Sequence, residues 1–177
     1  MDLEVSAELK KVPLLQWTAE VEETAALLGA ALSIINPEVY RAGISCIRKF
    51  AENPAKINKN ETLGEVLRIW ASPYTACSLI NNRDTPHHRD NGAGYSAMDL
   101  LVTVGDYHNG TLDLPGLGYR FLYSSGTVVG IAGRVVRHGV QAKGDRLCWA
   151  NYLRESVLEA MEIPEPSWVF LRDILSL

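Results

Sequence analysis

The sequence predicts an α+β fold, a double-stranded β-helix (jelly-roll) core with N-terminal helices packed outside it. Three observations carry that expectation. Apolar residues recur at helical spacing through the first third of the chain. After Pro73, short β-prone runs alternate with glycine and polar turns, at the spacing of a sandwich or barrel. His88, Asp90 and His138 all fall in that second part, where a His-x-Asp pair ending an early strand and a second His on a late strand suit the mouth of a jelly-roll.

Val21, Ala25, Leu28, Leu32 and Ile35 repeat on one face, which predicts a helix from Ala19 to Ile35 with Thr18 as N-cap. Asn36-Pro37 ends it and starts a second helix, with Asn36 as N-cap and Pro37 at the first helical position, running to about Glu52. Lys56 to Asn60 is a polar loop. Thr62 and Glu65 have capping-box spacing before a short helix that ends near Trp70. Strands are expected at Ala76 to Ile80, Asp99 to Val104, Gly110 to Leu114, Tyr119 to Tyr123, Gly126 to Ala132 and Arg146 to Tyr152. The stretch between Val104 and Gly110 reads as a loop around His108. No linker divides the chain, so residues 1–177 are expected to form one domain: a helical part over about 1–72, a jelly-roll over about 74–157 and a tail over 158–177.

The 177 residues are 47% hydrophobic and 21% charged, ordinary values for a globular protein with a sizeable core. A formal net charge of -4 excludes a global field that attracts nucleic acid, so any such binding must use a local basic surface. Cys46, Cys77 and Cys148 are too few and too scattered for a disulfide framework or a zinc site, which fits a reducing intracellular compartment. The first residues lack the apolar run of a signal peptide, and no window has the apolar length of a membrane span.

Two imidazoles and one carboxylate are the facial donor set of non-haem Fe(II) oxygenases, which leaves three metal positions open. His88, Asp90 and His138 supply that set, and Arg146 can pair bidentately with the far carboxylate of a 2-oxoglutarate co-substrate. His87 is the neighbouring alternative ligand. Only His88 has the His-x-Asp spacing, and strand alternation turns the two imidazoles apart, so His87 is placed at the border of the cleft or substrate. The plain alternatives are a surface role for His88 and a satisfied core role for His138. Arg146 and Cys148 share one face of a predicted strand.

Five segments carry a resemblance: NRDTPHHRD (82–90), MDLLVTVGDY (98–107), LDLPGLG (112–118), SGTVVGIAGRVVRHGV (125–140) and GDRLCWANYLRESV (144–157). Together they resemble the TET/JBP-type oxygenase domains of fungi, many of them associated with transposable elements. The helical first third is similar to the segment that precedes that core. The resemblance implies Fe(II), 2-oxoglutarate and O2 as cofactor and co-substrates, and oxidation of 5-methylcytosine in DNA to 5-hydroxymethylcytosine, with formyl and carboxyl bases as later products in some members. It implies a nuclear protein whose partner is DNA carrying methylated bases. The chain is short for the family, so a separate targeting domain is expected to be absent or supplied by partners. A methyl C–H bond is inert to acid, base and nucleophile, so that reaction needs chemistry that a cofactor brings.

The resemblance also distributes roles. In the TET family the Arg146 strand begins Arg-x-Ser, and both residues contact the co-substrate; Cys148 replaces the Ser here, and a thiol is a weaker donor. Arg83 resembles an arginine that helps hold the 2-oxoglutarate carboxylate in some relatives; its plain alternative is a turn residue. Arg154 falls where TET enzymes place a base-contacting His, and could address cytosine or a phosphate, or simply start a helix beside Glu155. The position three after Asp90 is polar in the family and is Ala93 here, leaving Asn91 as a substitute for base contact. Tyr95, Tyr107 and Tyr152 could stack on a base. Two basic groups, Arg134 with Arg137 and Lys143, and Lys49 with Lys56 and Lys59, could meet phosphates or form ordinary solvated surface. Two rival readings remain: the same chemistry on N6-methyladenine, RNA or a protein side chain, and a catalytically silent jelly-roll that binds a partner. Oligomeric state is not written in the sequence.

Overall fold

A computed structural model describes residues 3–58 and 60–175, which leaves Lys59 of the second basic group outside the described residues. The chain divides into two compact units, Met1–Thr75 with Glu155–Leu177, and Ala76–Arg154. The first is helical: α1 (Val12–Glu20), α2 (Glu22–Ile35), α3 (Pro37–Glu52), α4 (Leu63–Ile69), α5 (Glu155–Ala160) and α6 (Leu171–Leu175). Two short strands, β1 (Leu3–Glu4) and β2 (Ile57–Asn58), pair in parallel within it.

Of the three expected caps only one forms. Asn36 caps α3 as predicted, its Oδ1 accepting from the Val39 N–H at 3.1 Å. Thr18 does not cap: helix starts earlier, at Val12 with Pro13 in the first turn, and breaks at Val21. The Thr18 hydroxyl instead donates back to the Leu14 carbonyl at 2.7 Å, inside α1. The Thr62–Glu65 capping box also fails to form. A 3-10 turn over Asn60–Thr62 runs straight into α4, so Thr62 has helical angles (φ -96, ψ -3) where an N-cap needs an extended backbone. Among the described residues its buried Oγ1 finds no hydrogen-bond partner.

Leu32, Val39 and Cys46 are fully buried in this unit. Gly43 of α3 permits a close approach, because a Cβ there would lie 2.0 Å from the Pro73 carbonyl oxygen. Lys49 donates to the carbonyls of Met161 (2.7 Å) and Glu162 (3.2 Å), and Lys56 pairs with Glu162 at 2.6 Å. These two lysines therefore tie down the end of α5 rather than present an open basic surface. No helix among the described residues is long and apolar enough to cross a membrane. All three cysteines are free; Cys46 and Cys148 are buried and Cys77 is partly so.

The second unit is an antiparallel sheet of β3 (Ala76–Asn81), β4 (Thr85–His88), β5 (Asp99–Leu114), β6 (Tyr119–Leu122), β7 (Val128–Ile131) and β8 (His138–Tyr152). Its order is β3-β8-β5-β6, with β4 also on β8 and β7 also on β5. The large antiparallel sheet with its helical companion is the α+β architecture expected, consistent with a jelly-roll core. β5 and β8 pair from Leu100↔Asn151 to Asp113↔Gly139. The strands expected at 99–104 and 110–114 are thus one, and the strand expected from Arg146 begins eight residues earlier, at His138. Of the loop-like residues between, Gly105 to His108 pair in register with Arg146 to Lys143, and only Asn109 and Gly110 fall in a bulge, where register shifts between His108 and Thr111 and Asn109 takes φ +53. Gly105 (φ +133) faces Arg146, and a Cβ on it would meet the Asp145 carbonyl oxygen at 2.1 Å.

Two glycines make a paired test of the helical unit. Gly43→Ala is expected to destabilise the protein by about 1–3 kcal/mol, the cost of overpacking against backbone. Gly64→Ala in α4, where the only near atom is the tip of Arg68 at 3.9 Å, is expected to stabilise it by about 0.5–1 kcal/mol. Urea unfolding of both variants checks the signs.

Candidate active site

β4 ends on His88 and β8 begins on His138, and these two residues are register partners. Pairing across adjacent strands places the rings 4.4 Å apart between centroids. Asp90 follows β4, and its N–H donates to the Gly133 carbonyl at 3.0 Å, which fixes the turn. Its Oδ1 lies 3.2 Å from His88 Nε2 and its Oδ2 3.6 Å from His138 Nε2. One donor atom from each residue lies within 4.8 Å of the others.

The second nitrogen of each ring settles which atom faces the cluster. His88 Nδ1 bonds the Pro86 carbonyl at 2.9 Å, and His138 Nδ1 bonds the Val136 carbonyl at 3.0 Å. A carbonyl only accepts, so both Nδ1 atoms donate, and Nε2 is the atom of each ring left to face the cluster. Two imidazoles and a carboxylate, converging on one point, fit a divalent ion of the Fe(II) type. Asp99 stands behind them. It is buried, its Oδ1 has no hydrogen-bond partner among the described residues, and burial followed by the Asp90 charge pushes its carboxyl up to about 7. Gly133 separates the two acids: a Cβ there would lie 2.2 Å from Asp90 Oδ2 and 3.0 Å from Asp99 Oδ2.

Arg146 is 4% exposed, and no carboxylate among the described residues pairs with it. Its backbone is clamped by Asn82, whose Oδ1 accepts the Arg146 N–H at 2.6 Å and whose own N–H donates to the Arg146 carbonyl at 2.8 Å. Its Nε donates to Thr103 Oγ1 at 2.8 Å. The Thr103 hydroxyl meets Tyr107 Oη at 3.0 Å, and Tyr107 Oη donates to the Tyr123 carbonyl at 2.7 Å. Since that carbonyl must accept, the chain has one direction: Arg146 to Thr103 to Tyr107 to Tyr123. The guanidinium carbon also sits 5.2 Å from the Tyr123 ring centroid. A buried, unpaired guanidinium is costly unless an anion joins it, so this pocket fits a carboxylate.

The remaining expected residues are more dispersed. Cys148 lies two residues from Arg146 on the same strand and is buried; burial raises its thiol against the opposing pull of Arg146. Arg83 is exposed in the connection between β3 and β4, next to the clamping Asn82. His87 turns away from His88, and its Nε2 lies 3.6 Å from Asp113 Oδ2. Asp113 is in turn held by Arg120 through Nε (2.6 Å) and Nη2 (2.8 Å), and these hydrogen bonds, with the one to His87, keep its carboxyl below the usual range. Asn91 is exposed in the turn after Asp90. Arg134 reaches into that turn, donating to the Ala93 carbonyl at 2.6 Å and lying over Tyr95 at 4.1 Å. Arg154 is exposed beyond β8, with its Nη2 3.5 Å from Tyr152 Oη. His108, expected in a loop, is an exposed residue of β5. Thr103, Tyr107, Tyr123, Asp99 and Gly133 complete the surroundings, and none of these had been singled out for the pocket except Tyr107, as a stacking candidate.

The sequence pattern of the Tet/JBP family, described as the oxygenase domain of the 2OGFeDO superfamily, matches residues 10–155. In structure the chain is similar to NgTET1, solved in complex with 5mC DNA, with a TM-score of 0.61 and 15% sequence identity. That likeness covers 99% of this chain and 63% of the other, so this chain spans less than two thirds of that neighbour's length. At such identity the likeness is one of fold. No curated protein matches.

Gly133 offers a test of the donor cluster. In Gly133→Ala the new methyl meets the free end of a side chain rather than backbone, so the fold is expected to persist while Asp90 is pushed off its position. Calorimetric titration with Co(II) is expected to show at least about tenfold weaker binding than wild type, a charge-assisted contact's worth, with unchanged far-UV circular dichroism. Equal affinity would show that Asp90 has room to spare.

Proposed function

Because the chain belongs to the Tet/JBP family of oxygenase domains in the 2-oxoglutarate/Fe(II) superfamily, we propose that it is a dioxygenase oxidising 5-methylcytosine in DNA to 5-hydroxymethylcytosine, with further oxidised bases as candidate later products. The observation that carries this reading is the pairing, on one strand, of His138 from a His/Asp/His donor cluster with Arg146, a buried cation lacking a carboxylate. A binding module has no need of both. The choice of 5-methylcytosine over methyladenine, RNA or protein rests on the family and on the methylated DNA bound by the structural neighbour.

In this reading His88, Asp90 and His138 hold Fe(II) from one side and leave three positions open. The Pro86 and Val136 carbonyls keep both rings in the ligating tautomer. Bound there with 2-oxoglutarate, the metal supplies the O2-dependent oxidising chemistry that an inert methyl group requires, with succinate and CO2 as co-products. Arg146 pairs with the far carboxylate of the co-substrate and sets its orientation. We assign Cys148 to the wall of the same pocket and Arg83 to its exposed approach. Arg154 and Asn91 are assigned to the DNA, with His87, already engaged by Asp113, at the rim. A duplex base would have to be flipped out to reach the metal, and a nuclear location belongs to this reading. The whole chain is taken as one oxygenase domain, which the family match supports by running from the helical unit through the sheet.

Mass spectrometry of nucleosides, after reaction of methylated duplexes with Fe(II), 2-oxoglutarate and O2, tests the reading. The expected product is 5-hydroxymethylcytosine, formed together with succinate and abolished in Asp90→Ala. Succinate without any oxidised nucleoside would move the substrate elsewhere; no succinate at all would end the dioxygenase reading.

The charge of Arg146 makes a second prediction with two readouts. In Arg146→Met the unligated protein is expected to resist urea as well as or better than wild type, because an unpaired buried charge has been removed. Its affinity for 2-oxoglutarate is expected to fall about tenfold to a hundredfold, the loss of a hydrogen bond to a charged group.

A further inference from the structure

The strand that ends on His88 is irregular just before it. His88 pairs with His138 and Thr85 with Val140, so three steps along β4 match two along β8, and Pro86 and His87 together stand opposite Gly139. That is a β-bulge, a device that re-aims a side chain. Pro86 suits it, because proline has no N–H to give a ladder. Gly139 has a second neighbour on the other side of β8, its register partner Asp113 in β5. Lacking a side chain, it lets a ring lie across the strand: a Cβ there would meet His87 Cδ2 at 2.6 Å, the Thr85 carbonyl oxygen at 3.0 Å and His87 N at 3.1 Å. His87 uses that gap, and its Nε2 comes within 3.6 Å of Asp113 Oδ2.

Asp113 is a fixed anchor for that ring. It is buried, and Arg120 grips both of its oxygens, which sets the orientation of the carboxylate. From the ring, one rigid unit leads to the donor cluster. The Pro86 carbonyl and the His87 N–H belong to the same planar peptide, and that carbonyl accepts from His88 Nδ1 at 2.9 Å. Turning the His87 backbone would turn the carbonyl and release the His88 ring. Alternation along β8 sends the His138 side chain to one face and the Gly139 position to the other, so His87 and Asp113 meet on the face away from the cluster.

We propose that His87 is a positioning residue for the metal centre: anchored across Gly139 to Asp113, it holds the Pro86–His87 bulge and with it the orientation of the His88 ring. This rests on the dioxygenase reading given above, in which His88 binds Fe(II). It gives the rim histidine a task toward the metal rather than toward DNA. It also makes Arg120, on the strand that ends the sheet order, the far end of the support that reaches the donor cluster.

The test is titration of the metal-free protein with Co(II), followed by calorimetry and by the visible absorption of the bound ion. His87→Ala removes the ring, whereas His87→Gln keeps an N–H at the far end of the side chain that can donate to Asp113. The expected result for His87→Ala is about tenfold weaker Co(II) binding, the cost typical of losing a group that orients a ligand. Its absorption spectrum at saturation is expected to differ from wild type while its far-UV circular dichroism does not. His87→Gln is expected to recover both affinity and spectrum. Asp113→Ala alone is expected to weaken binding by a similar factor, and the double variant His87→Ala/Asp113→Ala no further. Wild-type affinity and spectrum in His87→Ala overturn the proposal and return His87 to the substrate. So does a His87→Gln variant as weak as His87→Ala, which makes the imidazole itself a ligand, or a changed circular dichroism spectrum, which makes its role one of folding. Wild-type protein that binds no Co(II) overturns the dioxygenase reading itself, an outcome visible before any variant is made.

Discussion

β8 carries His138 at its first position and Arg146 eight residues on, and eight residues of straight strand span about 26 Å. A five-carbon dicarboxylate is far shorter than that. The proposed role of Arg146 therefore calls for a ribbon that bends between them, and the pairing with β5 carries devices that permit it. The bulge at Asn109 and Gly110 adds a residue opposite the middle of the segment. Gly105 and Gly144 take φ of +133 and +115, and the two strands approach so closely there that a Cβ on Gly144 would lie 2.6 Å from the Asp106 carbonyl oxygen. The metal-competent end and the cationic end thus depend on one pairing, and on backbone conformations that side chains do not tolerate.

The two ends bear opposite electrostatic burdens. At one, Asp99 is driven toward neutrality by burial first and by the charge of Asp90 second. At the other, a guanidinium is taken out of water and given a hydroxyl and an aromatic face in place of a carboxylate. Neither arrangement is what packing alone would select. Both hold a polar group ready for a partner of defined charge, a cation at the acids and an anion at the arginine, and a metal-chelating dicarboxylate is matched to that pair.

The chemistry-bearing residues were legible because their types are rare and their order is specific. His-x-Asp, a late His and an Arg eight beyond it narrow the choices sharply, and the strand alternation that separates His87 from His88 follows from period two. Other residues were silent. Thr103 and Tyr123 have no local signature, since what matters is which groups lie opposite them on distant strands. The stretch from Gly105 to Gly110 read as a loop because glycine and asparagine favour turns, whereas here they serve a bulge and a close approach within one long strand. Thr18 and Thr62 failed as caps for a related reason. A side chain caps only if its own backbone leaves the helix, and that is decided by what precedes it: Pro13 starting α1 early, and a 3-10 turn leading into α4.

The cysteines bear on how such a protein would survive its own chemistry. Burial pushes the Cys46 thiol to about 11 and the Cys77 thiol to about 12, and raises Cys148 as well. At neutral pH only about one Cys46 in ten thousand is a thiolate, the form through which oxidation to sulfenic acid begins. Iron and oxygen handled on the same chain therefore find sulfur that is protonated and shielded, at Cys148 within two residues of the arginine. Sulfenic-acid formation through the thiolate is the route this burial slows.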